Sequence, residues 1–579
     1  MLNKLTYSLP EKLETTVQAE FDEWQKENKT SRIWQKDASI WTNDDEAKWL
    51  GWLEVVETEL NDLQKYRDFA EDAKSFSDIA LLGMGGSSLA PEVFSITFGI
   101  KNFHILDSTV PAQIKTLESK IDLAKTLFIV ASKSGSTLEP NTFKQYFFEK
   151  VSQIVGADNA GKQFVAITDP NSKMQKVAER DNFRRIFFGN AEIGGRFSAL
   201  SVFGLVPASA MGIDTEDFLT RAMKMVQACK NDNPRENPGV ILGTILGVCQ
   251  ISGRDKLTIF TSKEIYDVGA WLEQLIAEST GKSDISIIPV DREKIQPPQV
   301  YGNDRVFAYL KLKDDADEAR ENAVTSLEKS GQPVVRIEIA DKMNLGQEFF
   351  RWEFATAVAG SIMQINTFNQ PDVESAKIEA KKLTEEYEKT GEFPDETPIY
   401  EEDGIKLFTD EENAAELNQQ IDGEKSLANY LKAHLSRIAT FKITHGDFSG
   451  NLNHIETGDY FALLAYIEMN AENESLLQKI RHRVLTENNV ATCLGFGPRF
   501  LHSTGQAYKG GANNGVFLQI TSDDAEDFDV PEQKYTFGAV KTAQARGDFQ
   551  VLLDRERRAL RVHLGKDVKA GLEKLLSLI

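Results

Sequence analysis

The sequence predicts an α/β protein in which parallel sheets recur in two tandem units, with a helical region before them and a further α/β region after them. Two observations carry this. Short, almost wholly apolar runs end in turn residues and are followed by stretches of helical periodicity, the pattern of βαβ units whose strands are covered on both faces. The runs also fall into two series: DIALLGM (78–84), FHILD (103–107), TLFIVAS (126–132) and FVAITD (164–169), then KLTIFTS (256–262), DISIIPV (284–290), RVFAYLKL (305–312) and PVVRIEI (333–339). A length of 579 residues leaves room for three to four domains of ordinary size.

In chain order, residues 1–75 are rich in Glu, Lys, Gln, Leu and Trp, and Trp49, Trp52, Leu53, Val56 and Leu60 recur at helical spacing. This region reads as helical, either a cap on the rest or a dimer surface. Residues 76–225 and 226–380 are the two α/β units, similar in texture but without a residue-level repeat. Residues 381–425 are acidic and polar, and read as a solvated helix and linker. Residues 426–579 return to helix and strand patterns, with YFALLAYI and GVFLQIT as strands.

Lys and Arg total 66 and Asp and Glu 89, so the net charge is 66 − 89 = −23. That balance argues against nucleic acid or an anionic membrane as a partner of the whole chain. It also means that a site for an anion must work against a repulsive field. Cys229, Cys249 and Cys493 form no CxxC pair and no disulfide framework, which suits a reducing cytoplasm. No apolar run reaches the about 20 residues of a transmembrane helix, and the N-terminus lacks the apolar core of a signal peptide. The seven His residues are scattered. His445 and His454 flank an Asp-containing loop, but no pair has HxxxH or HExxH spacing, so no metal and no cofactor is expected.

Four motifs carry chemistry. LLGMGGSSLAP (81–91) is a glycine-rich turn between a strand and a helix, where backbone can approach a ligand and free N–H groups attract an anion. Its spacing is neither that of a dinucleotide-binding turn nor that of a Walker loop. By itself it is as often a tight turn without ligand. SKSGSTLEP (132–140) puts four hydroxyls and a lysine at the C-terminal end of a strand, where α/β sheets bind ligands. Hydroxyls and helix N–H groups can surround a phosphate without much net charge. The plainer alternative is a capped turn. IGGRFSALS (193–201) aims one guanidinium after two glycines, or else exposes a loop arginine. In QLIAESTGK (274–282), Gln274 and Glu278 share a helix face and Gly281 is a candidate helix stop. Glu278 would then sit at the negative end of the helix dipole, unfavourable for a carboxylate and favourable for a general base. An ordinary solvent-facing Glu is the alternative.

The two loops together resemble the sugar isomerase (SIS) domain family, in which the second loop holds the phosphate of a phosphosugar. With IGGRFSALS, EQLIAESTGK and INTFNQPDVESAK (365–377) added in this order, the chain resembles the glucose-6-phosphate isomerase family. GPRFLHSTGQ (497–506) and KGGANNGVFLQIT (509–521) are similar to the isomerase half of bacterial transaldolase fusions with that enzyme. Thr367 and Asn369 depart mildly from the family's INPFDQPGVExxK segment.

The resemblance implies two tandem SIS-type three-layer α/β/α domains and a metal-free aldose–ketose isomerisation. It implies Glu278 as the base, Arg196 as the cation that stabilises an enediolate, and Ser132, Ser134, Ser136 and Thr137 as phosphate ligands, with Lys133 adding charge. Gly86 and Ser87 would lie against the sugar, and Gln274 would orient substrate or base. Lys377 matches the VExxK lysine of ring opening. His502 is the candidate for the histidine of that step. It follows the VExxK segment, whereas the family's histidine precedes it, so either the order is altered or His502 serves another role. A phosphosugar partner, a cytoplasmic location and a homodimer or monomer complete the expectation.

Two other classes compare less well. A non-catalytic phosphosugar sensor needs the hydroxyl loop but not Glu278, Arg196 and Lys377 together. A transaldolase activity needs a further barrel of about 250 residues, and about 75 residues precede the first motif. A dual preference for glucose and mannose phosphates stays open.

Overall fold

The computed structural model describes residues 1–421, 423–439 and 458–579, the side chains of Val373 and Glu374 apart. His445 and His454 lie outside the described residues. Among the described residues, sixteen strands form three sheets. The first sheet holds β2 (Asp78–Leu82), β3 (Phe103–Leu106), β4 (Thr126–Ala131), β5 (Phe164–Thr168) and β6 (Arg185–Phe188), in the order β3-β2-β4-β5-β6 and parallel throughout. The second holds β7 (Lys256–Thr261), β8 (Ile288–Val290), β9 (Arg305–Leu312) and β10 (Val334–Ile339), again parallel, with β1 (Lys4–Ser8) as an antiparallel edge. The helical reading of residues 1–75 is therefore corrected at its start. Lys4 to Ser8 alternate between exposed and partly buried, and the strand is closed by a partner more than 300 residues away.

The third sheet holds β11 (Tyr400–Glu402), β12 (Ile405–Phe408), β13 (Tyr460–Tyr466), β14 (Ala491–Phe496), β15 (Gly515–Thr521) and β16 (Arg558–His563), in the order β11-β12-β16-β15-β13-β14. Its last four strands are parallel, and β11 and β12 form an antiparallel hairpin on β16. The acidic segment 381–425 is thus part of a sheet and not only a linker. Ile405 and Leu407 point inward while the acids stay outside. Asp403 and Gly404 both take positive φ, +51° and +79°. That pair is the turn a two-residue hairpin prefers.

Every sheet is covered on both faces, which explains the near-continuous apolar strands. Ile79 and Leu81 of β2 enter a core shared with β7 and β9, while Ala80 and Leu82 enter a core shared with Phe537 and Val540. Phe461 and Leu463 of β13 pack within the third unit, but Tyr460, Ala462 and Leu464 pack against Ala277, Ile288 and Val290 of the second. The C-terminal unit therefore lies against both of the others. Ala277, the neighbour of Glu278, is in the seam. The three cysteines are free and buried, and burial pushes each thiol up to about 12. No helix among the described residues is long and apolar enough to cross a membrane.

Candidate active site

Five segments meet at the seam of the three units. The glycine turn after β2 abuts the turn at 194–197 so closely that a Cβ on Gly86 would lie 2.1 Å from the Gly195 carbonyl oxygen. Only glycine fits there. A Cβ on Gly85 would meet the Gln274 amide at 2.8 Å and the His502 carbonyl oxygen at 2.9 Å. Gly194 and Gly195 themselves have room for a side chain.

Glu278 lies in the last turn of the helix Val268–Thr280, as its spacing to Gly281 predicts. Gly281 is not a left-handed stop, however. Its φ is −78°, and it is glycine because a Cβ would sit 2.2 Å from the Cα of Ala507. The Glu278 side chain is 6% exposed. Its Oε1 is 3.4 Å from Nη1 of Arg196, and its Oε2 accepts from Nε2 of Gln274 at 3.1 Å. The same Gln274 nitrogen donates to the His502 carbonyl oxygen at 2.8 Å.

Arg196 is buried and saturated with acceptors. Its Nε donates to Ser279 Oγ at 2.7 Å, its Nη1 to Gln370 Oε1 at 3.1 Å, and its Nη2 to the carbonyl oxygens of Thr367 and Asn369 at 2.7 and 3.0 Å. Burial lowers the guanidinium below its ordinary range, and the Glu278 charge works against that. Arginine stays charged even so.

The hydroxyl loop closes β4 and opens the 18-residue helix Leu138–Val155. Ser134 and Ser136 are exposed and bond to each other at 2.8 Å, and Thr137 caps the helix through its backbone position alone, with no side-chain cap bond. Ser132 Oγ is buried without a hydrogen-bond partner among the described residues. Lys133 pairs with Asp169 and reaches the Ala191 carbonyl oxygen at 3.4 Å, so its charge is partly compensated. Ser87 is buried beside Gly86.

Glu139, in the first turn of that helix, connects the loop to the rest. His502 Nε2 lies 3.0 Å from Glu139 Oε1, and Gln544 Nε2 donates to the same oxygen at 2.6 Å. Burial would raise the Glu139 carboxyl, but the charge and hydrogen bond of His502, with the charge of Lys377, hold it below the usual carboxylate range. Lys377 is exposed on the helix Pro371–Thr390, close enough for its charge to act on Glu139. A chain of contacts thus runs from Thr137 through Glu139, His502 and Gln274 to Glu278 and Arg196.

Sequence reasoning gave no role to Glu139, Gln544, Gln370 or the 366–369 carbonyls. Glu139 stood inside a motif but reads as a first-turn acid favoured by the helix dipole. Gln544 has no local signal, because its partner is 405 residues away. Among the described residues no group of three or more His, Cys, Asp or Glu side chains could hold a metal ion.

The chain is similar to known proteins. The phosphoglucose isomerase family model matches residues 63–302, which include the glycine turn, the hydroxyl loop, Arg196, Gln274 and Glu278. A probable glucose-6-phosphate isomerase of Methanococcus maripaludis is 28% identical over 369 residues, 56% of this chain and 82% of the relative. Glucose-6-phosphate isomerase of Campylobacter jejuni is 28% identical over 380 residues, 58% of this chain and 92% of the relative. Among solved structures, a hypothetical protein of Thermus thermophilus superposes with a TM-score of 0.56 at 23% identity, covering 65% of this chain and 99% of its own. A glucose-6-phosphate isomerase of Chlamydia trachomatis does so with a TM-score of 0.51 at 22% identity, covering 63% and 79%. With its glycine turn, hydroxyl loop and the segments around Arg196 and Glu278 inside the matched region, this chain is similar to the phosphoglucose isomerase family over residues 63–302.

Proposed function

We propose that the chain interconverts glucose 6-phosphate and fructose 6-phosphate, with Glu278 as the base. Such a reaction moves a proton from C2 to C1 and another from O2 to O1, through an enediolate. Glu278 would take the C2 proton and return it to C1, working as a buried carboxylate with one amide donor and an incomplete set of partners. Arg196 would offset the charge on the enediolate oxygens. It is already fixed by four hydrogen bonds, so it needs no rearrangement when that charge develops. Ser132, Ser134, Ser136 and Thr137, at a helix N-terminus, would hold the phosphate, with Lys133 beside them. Gly86 and Ser87 would face the sugar. His502, oriented by Glu139, and Lys377 would exchange protons at the ring and hydroxyl oxygens during opening.

The observation that carries this reading is the buried Glu278–Arg196 pair, linked by consecutive contacts to the turn at the mouth of the hydroxyl loop. A phosphosugar sensor would need only the loop. The test is a coupled assay of the purified chain with fructose 6-phosphate, following glucose 6-phosphate. Turnover by the native chain, with a loss of about 10²-fold or more in Glu278→Gln, is expected of a displaced acid–base group. No turnover by the native chain would end the proposal. Near-normal turnover by the variant would remove Glu278 from the role of base.

A further inference from the structure

Lys282 ends the QLIAESTGK motif, and the reading above gives it no part. Its ammonium group is buried, at 4% residue exposure. Among the described residues no carboxylate lies within ion-pair distance of it. Instead Nζ donates to two backbone carbonyl oxygens, of Ser279 at 2.9 Å and of Asn366 at 2.7 Å. Burial drives its pKa well below the ordinary lysine value, and the nearby Arg196 charge adds to that. A lysine held so deeply without a counter-ion is costly.

The two carbonyls belong to the two walls that grip Arg196. Ser279 is one wall, since its hydroxyl accepts from Arg196 Nε and its neighbour is Glu278. The turn at 366–370 is the other, since Thr367, Asn369 and Gln370 all accept from the guanidinium. Asn366 shapes that turn, its Oδ1 accepting from the backbone N–H groups of Phe368 at 3.0 Å and Asn369 at 3.2 Å. Lys282 thus ties together the same two segments that Arg196 ties.

We propose that Lys282 is a positioning residue that sets the spacing of these walls, and with it the placement of the Arg196 guanidinium against Glu278 and the reacting oxygens. The inference rests on the isomerase reading for its catalytic consequence, but its geometry can be tested without it. Either charge state of the amine supplies the two donors, so the clamp persists whichever form is present.

The test replaces the amine by an apolar chain of similar length, Lys282→Met, with Lys282→Gln in its place if that variant does not accumulate. With fructose 6-phosphate, kcat is expected to fall about tenfold or more while KM stays within about threefold, the signature of an interaction made in the transition state. Calorimetric binding supplies the readout that a merely structural role would not give. Affinity for 6-phosphogluconate, whose carboxylate mimics the anionic edge of the enediolate, is expected to fall about tenfold. Affinity for glucitol 6-phosphate, with a neutral head, is expected to hold within about threefold. Equal weakening of both, or of neither, would overturn the proposal. A double-mutant cycle of thermal midpoints with Arg196→Met closes it. Two residues joining the same walls must give non-additive losses, and strictly additive losses would overturn the clamp. If the native chain does not turn over fructose 6-phosphate, the isomerase reading fails, and the thermal cycle still decides whether Lys282 and Arg196 act together.

Discussion

Two clusters of carboxylates and guanidinium groups lie side by side at the seam, one buried and one partly exposed, and they are built to opposite plans. In the candidate site one carboxylate, Glu278, stands 3.4 Å from one guanidinium, Arg196, and takes one amide donor. In the neighbouring junction Arg499 pairs with Glu92 and lies 3.1 Å from Asp107, while Arg292 meets Asp267 at 2.6 Å, Glu474 at 3.1 Å and Asp291 at 3.5 Å. There five acids face two guanidinium groups. The site leaves an acid with capacity to spare beside a saturated arginine. The junction uses its arginines to draw acids from all three units together. On the proposed reading, the same residue types serve chemistry where the acid is under-committed and cohesion where the arginine is shared. Arg499 lies three residues before His502, and Asp267 takes the N-cap position of the helix that carries Gln274 and Glu278. The cohesive cluster therefore sets the frame in which the candidate site sits.

Breaking the junction gives the largest expected effect. Arg499→Met strands Glu92 and Asp107, and removal of one partner from a buried charge cluster costs about 3–5 kcal/mol. A fall in the denaturation midpoint should accompany any loss of activity. An unchanged midpoint would mean that the junction does not hold the units together.

The site should respond the other way. On the proposed reading, Glu278→Gln is expected to remove about 10²-fold or more in turnover, roughly 2.7 kcal/mol of barrier. Its midpoint should stay near the native value, because Arg196 keeps its four neutral acceptors. A midpoint that fell as far as that of Arg499→Met would erase the contrast between the clusters.

The smallest effect is one of pH. Burial first, then the charge of Glu92, pushes the Asp267 carboxyl up to about 8, against Arg292 and Arg499. Burial and the charge of Asp291 push Glu273, on the same helix, up to about 8 as well. The folded chain therefore keeps protons that the unfolded chain releases near pH 4. Stability from these groups is complete below pH 4, falls as pH rises toward about 8, and is level beyond. Between pH 6 and 9 Asp267 alone accounts for roughly 2–3 kcal/mol. Asp267→Asn, which cannot ionise, should flatten the decline of the midpoint over that range. An identical slope in the variant and the native chain would show that Asp267 does not hold a proton in the folded state.

Much of this was legible in the sequence, and the unread parts share a cause. Strands β2, β4, β5, β7, β13 and β15 were readable because burial on both faces writes nearly unbroken apolar runs. β1, β6 and β12 were not. They are short, and all three are edge or hairpin strands, β1 and β12 alternating with charge. The Asp403-Gly404 turn was the one signal that marked the hairpin inside the acidic segment. In the site, Glu278, Gln274, Arg196 and the hydroxyl loop announced themselves by local grammar: i,i+4 spacing, glycines before an arginine, hydroxyls after a strand. Glu139, Gln544 and Lys282 did not, since each acts on a partner brought from elsewhere in the chain.

The sequence by itself determined the class of fold, the two series of parallel strands and the residue types available for proton transfer and anion binding. Period, turn chemistry and composition are properties of neighbours along a chain. Tertiary structure decided which of those residues meet. It set the third sheet against the first two, brought His502 from behind β14 to Glu139 in front of the hydroxyl loop, and closed two walls on Arg196. Such contacts span hundreds of residues, and only the packing of apolar faces into shared cores fixes where those distant segments come to rest.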